Sequence, residues 1–259
     1  MNISVIIPTY NSEETIERAL NSVLIQTFAP TEIIVVDDCS YDKTYQILEH
    51  FHSENFGKNT IRLFKNLQNS GPAYTRNKGI QKATGDWIAF LDADDFWHPQ
   101  KLEIQKEIAT KSNSKFIGST CKIVPEANER MINIPQFKTL KPYQFLFKNF
   151  FVTPSVLIKK TSHLQFSEKM KHAEDYDLWI RMMRHYGSSV LITNPLVTLG
   201  KPPYLAGGLS SELWKMQSGE MKALSQEKNL ILRVVSICFS SLKFVKRLGI
   251  TAFYRILRE

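Results

Sequence analysis

Ile3–Asp38 reads ISVIIPTYNSEETIERALNSVLIQTFAPTEIIVVDD, and the pattern of this stretch decides the fold. The β-branched run Ile3–Pro8 ends in a polar turn, which suits a central parallel strand buried on both faces. Asn11 or Ser12 can cap the next segment. There Glu13, Glu14 and Glu17 crowd the positive end of a helix, and Ile16, Ala19, Leu20, Val23 and Leu24 fall on one face. The helix should end between Gln26 and Pro30. Glu32–Asp38 then repeats the first pattern, an apolar strand that delivers polar residues at its C-terminal end.

The alternation continues outward. A helix is expected from about Asp42 to His52, a strand over Ile61–Lys65, and a helix over Gly71–Ala83 after the NSGP turn. A further apolar strand, Asp86–Leu91, runs into Asp92-Ala93-Asp94-Asp95. Strands alternating with helices imply an α/β fold with a mostly parallel central sheet flanked by helices. In open sheets of this kind ligands collect beyond the carboxyl ends of the strands, so the polar clusters at 8–11, 37–40 and 92–95 should meet at one crevice. Beyond them the pattern predicts a helix over Pro99–Ser112, mixed strands and loops over 113–160, and a helix over His172–His185. From Leu230 onward it predicts a helical segment with Cys238, Leu242, Val245, Gly249, Ala252 and Ile256 near one face. Lys243, Lys246, Arg247, Arg255 and Arg258 lie elsewhere on that helix.

Composition narrows the class. The chain has 259 residues, 43% hydrophobic and 22% charged, which excludes collagen-like, low-complexity and largely disordered proteins. That length fits one large domain with an appendage. Cys39, Cys121 and Cys238 lie far apart with no short C-x-x-C spacing, so neither a zinc site nor a disulfide framework is expected. With no signal-peptide pattern at the N-terminus, the expected location is the cytoplasm. The net charge of +8 is unevenly spread: residues 1–95 hold 8 Lys/Arg against 13 Asp/Glu, leaving 25 against 12 beyond. Between Lys228 and Arg258 there are 7 basic residues and no acidic one, interleaved with apolar residues, as expected at an anionic surface. The longest uncharged run there, Val234–Leu242, is too short to span a bilayer, which takes about 20 apolar residues. A C-terminal helical pair packed on the domain explains the same composition. Nucleic acid is not an expected partner, since no RNA- or DNA-binding module is visible.

Asp92 and Asp94 form a D-x-D after the strand. Alternation at the strand end sends both carboxylates to one side and Asp95 to the other. The pair then suits Mg²⁺ or Mn²⁺, which takes one or two carboxylates and completes its shell with phosphate oxygens and water. A solvated acidic turn fits the residues equally. Asp37-Asp38 reads either as helix-capping turn residues or as acceptors for a base or ribose hydroxyl. His163, His172 and His185 lack ligand spacing and read as surface or core residues, and His98 reads as a loop residue. The cluster Phe145, Phe147, Phe150 and Phe151 reads as core rather than a sugar platform.

Five ordered segments resemble the inverting family 2 glycosyltransferases, which have the GT-A fold and use nucleotide-sugar donors. They are SVIIPTYN (Ser4–Asn11), VVDDCSYDKT (Val35–Thr44), NSGPAYTRNKG (Asn69–Gly79), GDWIAFLDADDFW (Gly85–Trp97) and EDYDLWIR (Glu174–Arg181). Thr75 departs from the Ala that is more usual in the third segment.

The resemblance implies that Pro8, Tyr10 and Asp38 line a nucleoside pocket, with Tyr10 against the base and Asp38 bonded to it. Arg76 would lie near the donor. Asp92, Ala93 and Asp94 would bind the donor and its ion, with Asp94 and Asp92 as ligands to Mn²⁺ or Mg²⁺. Asp175 would be the catalytic base, although as a bare sequence feature it reads as a carboxylate at a helix N-terminus. Trp179 and Arg181 could pack or support the acceptor side.

The implied reaction moves a hexose or N-acetylhexosamine from a UDP-linked donor to a glycan or lipid-linked glycan in bacterial surface-polysaccharide synthesis. The implied organisation is a GT-A domain over 1–228, its donor-binding region over 1–112 and its acceptor region over 113–228. A basic helical extension over 229–259 would be peripheral on the inner face of the membrane. Two alternatives share some residues. FLDADDF could serve a phosphatase of the haloacid dehalogenase type, and the Asp pair after EIIVV could serve a nucleotide-binding regulatory module.

Overall fold

The computed structural model describes residues 1–55, 61–123, 131–133, 135–200 and 212–256, with side chains as far as Arg247 in the last helix. Its strands are β1 (Ile3–Thr9), β2 (Glu32–Asp37), β3 (Ile61–Lys65), β4 (Trp87–Phe90), β5 (Phe96–Trp97), β6 (Phe116–Lys122), β7 (Phe137–Leu140), β8 (Leu157–Lys159) and β9 (Ser189–Thr198). Its helices are α1 (Ile16–Leu24), α2 (Thr44–Glu54), α3 (Pro72–Lys82), α4 (Lys101–Ser112), α5 (Pro142–Phe145), α6 (Glu174–Tyr186), α7 (Leu213–Ser225) and α8 (Leu230–Ile256).

The described strands form one sheet in the order β3-β2-β1-β4-β8-β6-β9-β5, with β7 also on β9. The expected parallel ladder holds for β3, β2, β1 and β4. Past β4 the sheet is mixed: β4–β8, β6–β8, β5–β9 and β7–β9 are antiparallel, and only β6–β9 is parallel. The sheet passes without a break from its parallel part to its mixed part, because β4 is hydrogen-bonded to β8.

Strand β1 is buried at every position, and its alternation divides the core in two. Ile3, Val5 and Ile7 pack with Ile16, Leu20 and Val23 of α1 and Leu48 and Phe51 of α2. Ile6 turns to the opposite face, with Ala73 and Ile80 of α3, the rings of Phe90, Phe116, Phe145 and Phe151, and Leu178 and Trp179 of α6. The phenylalanine cluster is thus core. Thr9 pairs with Asp37 and Ile6 with Phe90, so β1, β2 and β4 end at one edge. Glu32 ties down the opposite edge: it accepts from Ser4 Oγ at 2.7 Å, from the Thr84 amide at 2.6 Å and from Arg62 Nη1 at 2.7 Å.

His98 is a loop residue, as expected, and a buried one: it is 4% exposed, and its Nδ1 accepts from the Gln100 amide at 3.2 Å. The face of α8 that carries Cys238, Leu242 and Val245 points to solvent. The side chains of Gly249, Ala252, Arg255 and Ile256, and Arg258 altogether, lie outside the described residues.

Candidate active site

Beyond the shared edge of β1, β2 and β4 lies an open cavity of about 580 Å³. Pro8, Tyr10, Asp38, Arg76, Asp92, Ala93 and Asp94, the residues expected from the sequence, all line it. Asp175 does not line the cavity and stands behind Arg76.

Each strand contributes through the turn that follows it. After β1, Asn11 adopts φ 47°, and its amide is held by Ser40 Oγ at 2.9 Å. Tyr10 is 42% exposed at the rim, and its ring stands edge-on to Tyr41 at 6.1 Å. Thr9 is 3% exposed and lines the cavity, and its hydroxyl has no partner among the described residues.

After β2, Asp37 is buried and accepts from the Ser40 amide at 3.1 Å, closing the turn through Cys39 at φ 64°. Asp38 accepts from Asn66 Nδ2 at 2.7 Å, the Ser70 amide at 2.9 Å and the Gly71 amide at 2.7 Å. Three of the roughly four acceptor positions of the carboxylate are therefore used within the protein. Asp37 thus closes its own turn, whereas Asp38 ties down residues 66–71 and keeps one acceptor position unused within the protein. Gly71 sits at φ 84°, a left-handed conformation that glycine adopts without a side-chain penalty, and Pro72 starts α3 directly after it.

The D-x-D differs from its expected geometry. Residues 92–95 form a turn closed by the Asp95 amide on the Asp92 carbonyl at 3.1 Å, not a continuation of β4. Strand alternation therefore does not place Asp92 and Asp94; the turn does. The chain turns here because Phe96 and Trp97 must pair antiparallel with Thr198 and Val197. Arg18 Nη2 donates to the Asp94 carbonyl at 2.8 Å and fixes the turn from α1. Asp95 points inward and accepts from the Gly200 amide at 2.9 Å. A Cβ at Gly200 would stand 1.9 Å from the Asp94 carbonyl oxygen, so only glycine permits that approach. Burial, then Asp92 and Asp94, push the Asp95 carboxyl up to about 8.

Arg76 joins the two halves of the site. Its Nη2 lies 2.6 Å from Asp92 Oδ1 and its Nη1 3.1 Å from Glu174 Oε1, with the guanidinium 5.4 Å from the Phe166 ring centre. Burial works against its charge, but Asp92 and Glu174 outweigh burial and raise its pKa above the ordinary value. Glu174 and Asp175 open α6 after Ala173, which is left-handed at φ 56°. Burial and then Glu174 push the Asp175 carboxyl up to about 7, against the Tyr176 amide and Arg76, which lower it. Asn149 Nδ2 lies 3.5 Å from Asp175 Oδ2. Two carboxylates thus share this corner, one spent on Arg76 and one held near neutrality.

Trp179 is fully buried against Phe90, Phe116 and Phe166, and Arg181 pairs with Asp177 at 2.9 Å, so both are packing residues. His172 lies 3.2 Å from Glu212, and the rings of His163 and His185 lie 4.9 Å apart. Asn66, Arg18 and Asn149 escaped the sequence reading, because each meets the site from a segment distant in sequence and lies outside the quoted motifs.

Among the described residues no three His, Cys, Asp or Glu side chains are grouped closely enough to hold a metal by themselves. The donor set nonetheless fits a hard cation that shares its shell with phosphates. Asp92 and Asp94 line one cavity with room for phosphate oxygens beside them, and carboxylate oxygens are hard donors of the kind such a cation takes.

Residues 4–166 match the family model described as glycosyl transferase family 2. The UDP-Glc:alpha-D-GlcNAc-diphosphoundecaprenol beta-1,3-glucosyltransferase WfgD of Escherichia coli is 35% identical over 73% of this chain and 72% of its own length. The amylovoran biosynthesis glycosyltransferase AmsB of Erwinia amylovora is 30% identical over 76% of this chain and 68% of its own. Staphylococcus aureus TarS 1–349, solved with UDP, superposes with a TM-score of 0.67 at 22% identity, covering 92% of this chain and 70% of that one. The mannosyltransferase PcManGT of Pyrobaculum calidifontis, solved with GDP-Man and Mn²⁺, superposes at 0.64 with 18% identity, covering 98% and 80%. These matches leave no support for the phosphatase or regulatory-module alternatives, and the fold is that of the GT-A neighbours. The chain belongs to glycosyl transferase family 2.

Proposed function

We propose that this chain transfers a sugar, with inversion, from a UDP-linked donor to a hydroxyl of a lipid-linked glycan, as a step in bacterial surface-polysaccharide synthesis. Its place of work is the cytoplasmic face of a membrane. The observation that carries the reading is the pairing of a nucleotide-sized cavity lined by Asp38, Asp92 and Asp94 with a carboxyl held at about 7, Asp175, behind Arg76. The relatives support the choice of donor and acceptor: WfgD is named for UDP-Glc and a diphosphoundecaprenol-linked sugar, and TarS has been solved with UDP-GlcNAc.

In this reading the nucleoside lies against Tyr10, with the remaining acceptor position of Asp38 free to bond its base. Asp94 and Asp92 would hold Mn²⁺ or Mg²⁺, which supplies Lewis-acid neutralisation of the departing diphosphate. Arg76 keeps Asp92 and Glu174 in place and offsets their negative charge. Asp175 takes the proton of the acceptor hydroxyl as that oxygen attacks the anomeric carbon from the face opposite the diphosphate. General-base help of this kind is worth about 10² to 10⁴ in rate. One attack on one face inverts the anomeric centre.

The division into a donor-binding region over 1–112, an acceptor region over 113–228 and a separate C-terminal extension belongs to the same proposal. A thermal-shift screen of UDP- and GDP-sugars with and without Mn²⁺ tests the donor reading, because a ligand that binds only the folded chain raises its midpoint. Stabilisation by UDP-sugars that needs Mn²⁺ is the expected result. No response to any nucleotide would overturn it.

A further inference from the structure

The inward side of helix α8 mixes partly or fully buried apolar residues, Leu232, Ile237 and Phe244, with polar ones. Ser236 and Ser240 are 0% and 1% exposed, and Gln217 Nε2 bonds Ser240 Oγ at 3.0 Å. Lys243 Nζ lies 3.0 Å from Glu220 Oε1, and Arg247 Nη1 lies 3.5 Å from Glu220 Oε2. The opposite side carries Ile231, Val234, Val235, Leu242 and Val245, between 48% and 74% exposed. With Cys238 they recur at helical spacing and form one stripe along the helix. A surface helix ordinarily buries such a stripe, and a continuous apolar row left in water marks an interaction surface.

We propose that this stripe seats α8 in the interface of an anionic lipid bilayer. Charge selects that occupant. Lys228 and Lys246 are exposed beside the stripe, and no acidic residue occurs between Lys228 and Arg258. Anionic headgroups supply the missing countercharge, each nearby lysine adding to the attraction. A second copy of the chain would instead bring one basic rim against another. No described helix is long and apolar enough to cross a membrane, so α8 lies along the surface.

The inference rests on the function proposed above only for its purpose. Lys243 Nζ bonds the Phe147 carbonyl at 3.0 Å, and Asn149 two residues on reaches Asp175, so the docked helix and the base are joined by one short segment. A lipid-linked acceptor would then approach from the bilayer on which α8 rests.

Flotation of the full chain with vesicles of phosphatidylcholine plus phosphatidylglycerol, and with phosphatidylcholine alone, tests the surface. The chain should float with the anionic vesicles and much less with the neutral ones. The double variant Leu242→Ser, Val245→Ser should lose roughly tenfold or more in vesicle association. Its thermal midpoint should stay unchanged, because both side chains are already in water. Failure of the wild-type chain to float with anionic vesicles would overturn the proposal. So would a concentration-dependent dimer in sedimentation velocity that the double variant abolishes, since a second copy would then cover the stripe. The Mn²⁺-dependent nucleotide shift, measured on the same preparations without vesicles, reports separately on the donor reading.

Discussion

Arg76 Nη2 lies 2.6 Å from Asp92 Oδ1, so a buried guanidinium from α3 is fixed to the first carboxylate of the D-x-D. Its other arm reaches Glu174 at 3.1 Å and thereby ties the donor side to the helix that carries Asp175. Lysine keeps the charge but not the planar fork, and can satisfy only one of the two carboxylates. Arg76→Lys should lower kcat by about 10²-fold while the chain still folds. Arg76→Met strands both carboxylates and should cost about 3 kcal/mol of stability. Steady-state kinetics and thermal unfolding check both; an Arg76→Lys enzyme with normal turnover would remove the bridge from the mechanism.

Asp175 gives a pH dependence of known sign. With its carboxyl at about 7, the base becomes competent only as it loses its proton, so kcat/KM should rise with pH and level off above neutrality. The same shift acts on stability in the opposite direction. The fold holds this proton more tightly than the unfolded chain does, so stability falls as pH rises from the ordinary carboxylate range through about 7. Asp175→Asn should abolish most transfer and keep nucleotide binding. It should also melt higher than wild type at pH 8, by on the order of 5 °C, with the gain vanishing near pH 5. Equal melting of the two proteins at pH 8 would contradict the raised pKa of this carboxyl.

Asp94 lines the cavity from a turn pinned at its own carbonyl by Arg18, so its side chain can change without moving the backbone. Asp94→Asn should remove Mn²⁺-dependent stabilisation by UDP and reduce kcat/KM by roughly a hundredfold or more. Chelation of divalent ions should bring the wild-type protein to the same level and leave the variant little changed. Titration calorimetry with UDP, with and without Mn²⁺, separates the metal contribution from nucleotide contacts. An unaltered Mn²⁺ response in the variant would assign the ion elsewhere.

Much of the N-terminal parallel part of the fold was legible because its physics is local. Strand β3 falls at the expected residues, and α3 and α4 begin within two residues of their expected starts, since β-branched runs, Pro72 and the NSGP turn carry their own instructions. Past β4 the pairings depend on partners distant in sequence. Phe96 and Trp97 form a strand only because Val197 and Thr198 lie beside them, and this long-range demand bends 92–95 into a turn that alternation alone misreads. The cavity-lining set was recovered through motif resemblance, whereas Asn66 and Asn149, which support Asp38 and Asp175, lie outside those motifs. Periodicity identified α8 as amphipathic but could not tell which face would be buried. Glu220 decides that by drawing Lys243 and Arg247 inward.

Asp38 organises the site as well as lining it. Its three hydrogen bonds hold Asn66, Ser70 and Gly71, and so set the start of α3, four residues before Arg76. In Asp38→Asn only one oxygen can accept, and the new amide group faces donors. Each lost charge-assisted bond should cost about 1 to 3 kcal/mol, felt as loosening of residues 66–71. Hydrogen exchange at the Ser70 and Gly71 amides should therefore accelerate, KM for the donor should rise about tenfold, and kcat should fall less, because Asp175 and its neighbours are untouched. Retained amide protection with a weakened donor would instead assign Asp38 purely to nucleoside contact.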